Sequence, residues 1–494
     1  LTLSTLRYLA GNEVANAKYF WLHQIATPYA GGLKLSGIAS ILSSFQIKDR
    51  SDAQRYLSLL HQYAAFVHSM GDVLKEQHRR GIILPNVESD ASAAVFLGYA
   101  KLASAGTFSV ADARLHALAS SERSDFHARS GTIVSSELAP ALKEVAAYLN
   151  GSYREFAPRG VGLSQYPGGR EYYQYLIFAS TTLTTTPAAL HATGLREMEK
   201  LNAQLDAVRK EVHFFGSLRS FKHFLATSPQ FFPKTTPQFG ERLELYVRRS
   251  AQAAPSFFLH LPKTPYDVEP LPKALAGSQT FGYYNPPTAA RPKGSYLYNA
   301  WHPERTSALG AGALICHELI PGHHFQIALQ QENTTLPEVR HYDFSETGFL
   351  EGWGEYASQL CWDMGVYRTP YDRAGRLMQD LMSSTRLVVD TGMNSMGWSL
   401  QRGRAFMREN LTITESQINS ESLRYSTDLP GQALAYKSGE LAMLDIRADA
   451  KRRLGKSFDI RRFHSWLLDS GSMTLDTLRA HVNYEIEQAK KPAP

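Results

Sequence analysis

"ALICHELIPGHHFQ", residues Ala313–Gln326, decides how the rest of the chain is read. It sets His317 beside Glu318, the opening of the zinc signature H-E-x-x-H. That signature needs a second histidine at i+4, one helical turn on, so that both imidazoles reach one ion. Position 321 is Pro321, and the next histidines are His323 and His324. On a regular helix i+7 restores the face but adds about 10.5 Å of rise, too far for one ion, and i+6 points elsewhere. Pro321 removes a helical hydrogen bond and collides with the carbonyl of residue 317, while Gly322 tolerates unusual dihedrals. The expected device is a helical bulge that draws His323 back to the i+4 place, with His324 as the alternative ligand. The competing reading is a kinked core helix that happens to carry histidines.

The next helical segment favours a metal. "SETGFLEGWGEYASQL", residues Ser345–Leu360, carries Glu351 and Glu355 one turn apart on one face. A catalytic zinc takes three protein ligands and keeps one position open for water, and Glu351 is the candidate third ligand. Glu355 is placed to orient a ligand histidine from behind. Both lie among Phe349, Leu350, Trp353 and Tyr356, where a carboxylate is not expected to be buried unless paired or metal-bound. Glu318 is then the general base for a water at the site.

Around this core of chemistry the chain reads as mainly α. Apolar residues recur at helical spacing over Ser51–Gly81, Ser135–Gly151 and Pro187–Val212, and again over Glu346–Met364, Tyr371–Thr391, Ser399–Asn410, Gln432–Leu454, Ile460–Asp469 and Thr474–Glu487. Between residues 228 and 305 the texture turns proline-rich and aromatic, as in "SQTFGYYNPPTAARPKGSYLYNAWHPE". That region is expected to form a small antiparallel β-sheet with long loops. The division expected is an N-terminal helical part, 1–215, and a catalytic part, 216–494, joined as one continuous bilobal unit.

Composition narrows the function classes. In 494 residues, 52 Lys+Arg against 46 Asp+Glu leave only +6, which gives no reason to expect nucleic acid as a partner. The basic cluster Lys451–Arg462 is interleaved with apolar residues, as on a solvated helix face. No apolar run has transmembrane length. The two cysteines, Cys316 and Cys361, are too few for a disulfide framework. They fit a reducing compartment without deciding it, and Cys316 is expected to be a small buried hydrophobe. The chain starts at Leu1 and its first twenty residues lack signal-peptide character, so the expectation is that any targeting segment has been removed. No phosphate-binding glycine loop is present, and "GLSQY" is not a complete G-x-S-x-G.

The segments "HELIPGHHFQIALQQE", "GFLEGWGEYAS", "RLVVDTGMNSMGWS", "PGQALAYKSGELAMLDIR" and "FDIRRFHSWLLDSG" follow one another in this order. Together they resemble a family of zinc-metallopeptidase-like proteins catalogued as domain of unknown function 885, from about Phe281 to the C-terminus. A looser likeness is to dipeptidyl peptidase III, whose zinc motif carries one extra residue before a Gly-His pair. The resemblance implies a large helical zincin-like metallopeptidase fold with a deep cleft, acting on peptide-like substrates. It matches the family's general base to Glu318 and its downstream glutamate to Glu351. It also aligns Tyr436 with a recurrent tyrosine, a candidate oxyanion donor or a buried structural phenol. Many relatives have histidine where this chain has Asn394, an amide that can hydrogen-bond substrate but cannot shuttle a proton. Arg386 is expected to pair with Asp390 at i,i+4 or to receive a substrate carboxylate.

The resulting expectation is a zinc-dependent peptidase of short peptides, carboxypeptidase- or dipeptidase-like, with zinc on His317, His323 and Glu351. The alternatives are a non-catalytic binding or assembly protein that keeps the peptidase fold, and a metal-dependent hydrolase or lyase of a non-peptide amide. Relatives in the resembled family are often exported, which leans the location towards extracytoplasmic or secreted.

Overall fold

The computed structural model describes residues 1–271, 282–288 and 291–491. Ser278–Phe281 of the aromatic stretch, and with them the start of the family resemblance, lie outside the described residues. The chain is mainly helical and forms two compact units. One comprises Leu1–Ala17, Tyr173–Ser422 and Gly431–Pro494, and the other Lys18–Tyr172 and Leu423–Pro430. The boundary drawn at residue 215 from the sequence falls inside the first of these.

The second unit is built on the helix Arg50–Arg79. Asp49 caps it by accepting from the Asp52 amide, and Gly81, at φ 73°, ends it. Tyr56, Leu60, Tyr63, Val67, Met70 and Leu74 recur every three or four residues and are buried together. This is the spacing that turns an apolar pattern into one helix face. The expected helix over Ser135–Gly151 is Ala139–Asn150, preceded by a wider turn over Val134–Leu138. Pro140 follows directly on that wider turn, which loosens the hydrogen-bond ladder where proline supplies no amide.

The first unit carries the signature. Its strands are β1 (Tyr266–Pro270), β2 (Tyr283–Asn285) and β3 (Gly294–Tyr298). The helices that matter here are α1 (Pro187–Glu211), α2 (Ala311–Glu318), α3 (His323–Glu332), α4 (Thr347–Asp363), α5 (Pro370–Ser395) and α6 (Ala435–Leu454). The helix boundaries expected from periodicity hold to within a few residues throughout this unit.

The region 228–305 differs from expectation in two respects. Thr236–Ala253 is an α-helix, capped by Thr235 accepting from the Gln238 amide, with Phe239, Leu243, Tyr246 and Val247 buried on one face. Its prolines stand at and before the first turn, where helices tolerate them. The sheet is mixed rather than antiparallel: in the order β1-β3-β2, β1 pairs parallel and β2 antiparallel with β3. The long connection from residue 271 to 293 permits a crossover, whereas a tight turn would have forced a hairpin. β3 is central and all five of its residues are buried.

α4 lies against α6 at two glycines. A Cβ on Gly352 would stand 2.6 Å from the Cα of Gly439, and one on Gly439 would stand 2.2 Å from the carbonyl oxygen of Gly348. Only glycine permits this approach. It lays the Glu351 helix flush on the Tyr436 helix. Phe325, Phe349, Trp353, Tyr356 and Met443 pack into one apolar core around the site.

Candidate metal centre

α2 does not bulge at the signature; it stops. The helix ends at Glu318, residues 319–322 turn through a cis Ile320–Pro321 bond, and α3 starts afresh at His323. The turn folds Gly322 back onto its own helix so closely that a Cβ there would lie 1.7 Å from the His317 carbonyl oxygen. Across from it, the indole of the fully buried Trp353 donates to the carbonyls of Pro321 (2.9 Å) and Gly322 (3.1 Å). The expected bulge is therefore a helix break held shut by a tryptophan of α4, because proline and glycine together disrupt more than one helical hydrogen bond.

The break brings His323 beside His317, with ring centroids 4.7 Å apart and planes at 85°. Glu351 Oε2 lies 3.5 Å from His317 Nε2 and 3.5 Å from His323 Nε2. The three donor atoms all fall within 4.8 Å of one another. Tetrahedral bonds of about 2.0–2.2 Å put donors about 3.4 Å apart, close to the two 3.5 Å separations that Glu351 makes. Gly354 is part of the fit: a Cβ there would meet the His317 ring at 2.7 Å.

The charges point the same way. Burial would lower His317, but the carboxylates of Glu351, Glu355 and Glu318 outweigh it and raise its pKa to about 9. Burial pushes Glu351 up, yet the two imidazoles hold it well below the usual carboxylate range. Glu318 is raised, chiefly by burial. Three carboxylates around two imidazoles make a pocket that favours a cation.

Among known proteins, the family model described as "Bacterial protein of unknown function (DUF885)" matches residues 1–482. The chain belongs to this family. No functionally curated protein matches it. A solved candidate lipoprotein of Colwellia psychrerythraea is similar at 24% identity and TM-score 0.84, over 92% of this chain and 79% of that one. Another, a candidate lipoprotein of unknown function from Shewanella oneidensis, is 16% identical with TM-score 0.61, over 91% of this chain and 96% of that one. At these identities the likeness is one of fold.

In this DUF885 chain the other expected residues take distinct places. His324 is turned away from the donor set. Its Nδ1 meets the Tyr284 hydroxyl at 2.9 Å and its Nε2 meets the Thr264 carbonyl at 3.0 Å, so it ties α3 to the sheet. Burial lowers its pKa to about 4. Tyr436 does reach the site: its ring stacks at 6.1 Å and 17° on His317. The Arg386 guanidinium sits 4.4 Å over the Tyr436 ring and pairs with Glu421 at 3.3 Å. The Asp390 carboxylate accepts from Tyr173 Oη at 2.6 Å and from the Gly431 amide. Asn394, fully buried, donates to the carbonyl and carboxylate of Asp390.

Glu355 stands behind His317, with Oε1 3.5 Å from Nδ1. Its own partners went unread in the sequence. Arg376 donates to its Oε2 at 2.9 Å and Ser383 to its Oε1 at 3.0 Å. The signal was there: Arg376, Asp380 and Ser383 recur at helical spacing on one face of α5. Arg376 continues to Glu440 at 2.8 Å, and Lys437 bridges Asp380 (2.6 Å) and Glu440 (2.9 Å). Burial and Asp380 push the Glu440 carboxyl up to about 7, as befits a group in a cluster with fewer cations than acids.

The cysteines are a correction. Cys316 and Cys361 form a disulfide between α2 and α4, rather than serving as separate buried thiols. Two cysteines in a long chain predict nothing by count; only the packing of the two helices sets them face to face. A disulfide is consistent with an extracytoplasmic location.

Proposed function

We propose that this protein is a zinc-dependent peptidase, with His317, His323 and Glu351 as the metal ligands. The observation that carries the reading is the convergence of these three donors beside Glu318, buried against the apolar core. Zinc bound there would supply Lewis acidity and a water of lowered pKa. Glu318 accepts the proton from the attacking water and returns it to the leaving amine, the task its raised pKa suits. The Tyr436 phenol, stacked against His317, donates to the oxygen that gains charge.

Substrate binding follows from the sheet. Among the described residues β2 is an edge strand, and the backbone amide of its Tyr284 hydrogen-bonds to Glu318. An extended peptide paired with such an edge would be carried past the base, a recurrent mode of peptide recognition. A zincin-like helical enclosure with a deep cleft would favour short peptides over folded proteins. The Arg386 guanidinium, over Tyr436 and paired with Glu421, supports a reading in which it exchanges that partner for a peptide carboxylate, as a carboxypeptidase or dipeptidase requires. The disulfide and the two candidate lipoproteins of like fold support an extracytoplasmic site of action.

The test is metal content followed by turnover. Purified protein is expected to hold one zinc per chain, lost in His317→Ala, and to cleave members of a mixed peptide library. Glu318→Gln should keep the metal and lose cleavage. Equal cleavage by wild type and Glu318→Gln would sink the mechanism, and zinc binding with no turnover would favour a binding protein on the same fold.

A further inference from the structure

We infer that Arg376 is a positioning residue for the metal centre, acting through Glu355 on His317; this rests on the zinc reading above. The geometry is a chain of contacts across five helices. Glu355 of α4 presents Oε1 to His317 Nδ1 at 3.5 Å. The same Oε1 accepts from Ser383 of α5, and Oε2 accepts from Arg376 Nη1. Arg376 Nη2 also donates to the Glu355 backbone carbonyl at 3.3 Å, so one guanidinium grips the residue at two points. Its fork geometry is what an ammonium lacks.

Arg376 is in turn fixed from the far side. Glu440 of α6 accepts from it at 2.8 Å and Asp380 stands 3.6 Å away. Lys437 of α6 joins those two acids and approaches Glu197 of α1 at 3.5 Å. Arg376, Lys437, Glu355, Asp380 and Glu440 are all at most 4% exposed. Two cations face three buried carboxylates, so the cluster is one positive charge short. The open end of the cluster is Glu355, and His317 is what it faces.

Two consequences follow. Closed onto His317 Nδ1, Glu355 would hold the tautomer with its proton on Nδ1, which leaves Nε2, the atom turned to Glu351, as the ligand nitrogen. The cluster's excess negative charge reaches the metal through His317 and favours a dication there. Among the described residues His317 Nδ1 has no hydrogen-bond partner; a shift of about half an ångström would bring it within ordinary range of Glu355.

The experiment is a titration of the full chain with Zn²⁺ against a chromophoric chelator, and with Co²⁺ for its visible spectrum. Wild type is compared with Glu355→Gln, Arg376→Lys and Ser383→Ala. Loss of the charge in Glu355→Gln is expected to weaken zinc about 10- to 100-fold. Arg376→Lys keeps the charge but loses the fork and should fall in the same direction. Ser383→Ala removes one hydrogen bond to the same oxygen and should cost about fivefold. Shifted Co²⁺ bands are expected in all three, which mere loosening of the fold would not produce. Should Glu355→Gln fail to fold, Arg376→Lys decides for Arg376 and Ser383→Ala for the Glu355 contact on which it acts. Wild-type affinity and spectrum in the folded variants would overturn the inference and leave the metal centre standing. Failure of the wild type to bind either metal would overturn both.

Discussion

Replacing both cysteines by alanine should loosen the metal centre far more than the rest of the molecule. The bond joins positions 45 residues apart, and the segment it closes contains His317, Glu318, His323, Glu351 and Glu355. Opening a loop of that length returns about 4 kcal/mol of chain entropy to the unfolded state. The alanines leave little cavity, because each replaces a single sulfur in a fully buried position. The assay is native-state hydrogen exchange by mass spectrometry on the intact and Cys316→Ala/Cys361→Ala proteins. Peptides from α2, α3 and α4 should exchange faster by about three orders of magnitude, the equivalent of about 4 kcal/mol. Peptides from Arg50–Arg79, in the separate core of the other unit, serve as the internal control and should change little. Saturating zinc, at about a hundred times its dissociation constant, should restore about 2.7 kcal/mol by binding only the folded form. Acceleration of less than tenfold at the site, or equal acceleration in both units, would refute the reasoning.

Other outcomes follow from single contacts. Gly354→Ala sets a methyl 2.7 Å from the His317 ring and should weaken zinc at least tenfold, read by chelator competition, while far-ultraviolet circular dichroism stays native. Gly439→Ala drives a Cβ to 2.2 Å from the Gly348 carbonyl and should cost about 1–3 kcal/mol, seen as a lowered urea midpoint. His323→Ala should abolish zinc uptake, whereas His324→Ala should retain it and instead release β2, whose Tyr284 it holds; stoichiometric zinc loss in the second variant would reverse the ligand assignment. In chelator, the metal-free protein should be most stable below about pH 6.5 and lose stability as pH rises towards 9. His317 is raised to about 9 in the fold, so its contribution is present while it is protonated and disappears through that pH. A flat thermal-denaturation profile over pH 6–9 would contradict this.

Much of the molecule was legible before folding. Helix limits follow from apolar spacing and from capping residues such as Asp49, Thr186 and Thr369, whose side chains each accept from the amide three residues on. Those are local physics, written in a few neighbouring residues. The grouping of His317 with Glu351 was also readable, since both stand in short motifs whose residue types have few other uses in an apolar helix. What the sequence left open was everything that depends on which helices touch. That His323 rather than His324 lies beside His317 rests on a helix break sealed by the Trp353 indole from α4. The disulfide rests on α2 meeting α4, and the parallel pairing of β1 with β3 on a crossover rather than a hairpin. The Arg376 cluster needs α1, α4, α5 and α6 together, because no one of them carries charges that balance. Periodicity fixes which face of a helix is buried, but burial does not say against whom, and partners distant in sequence are set only by the packing of the whole core.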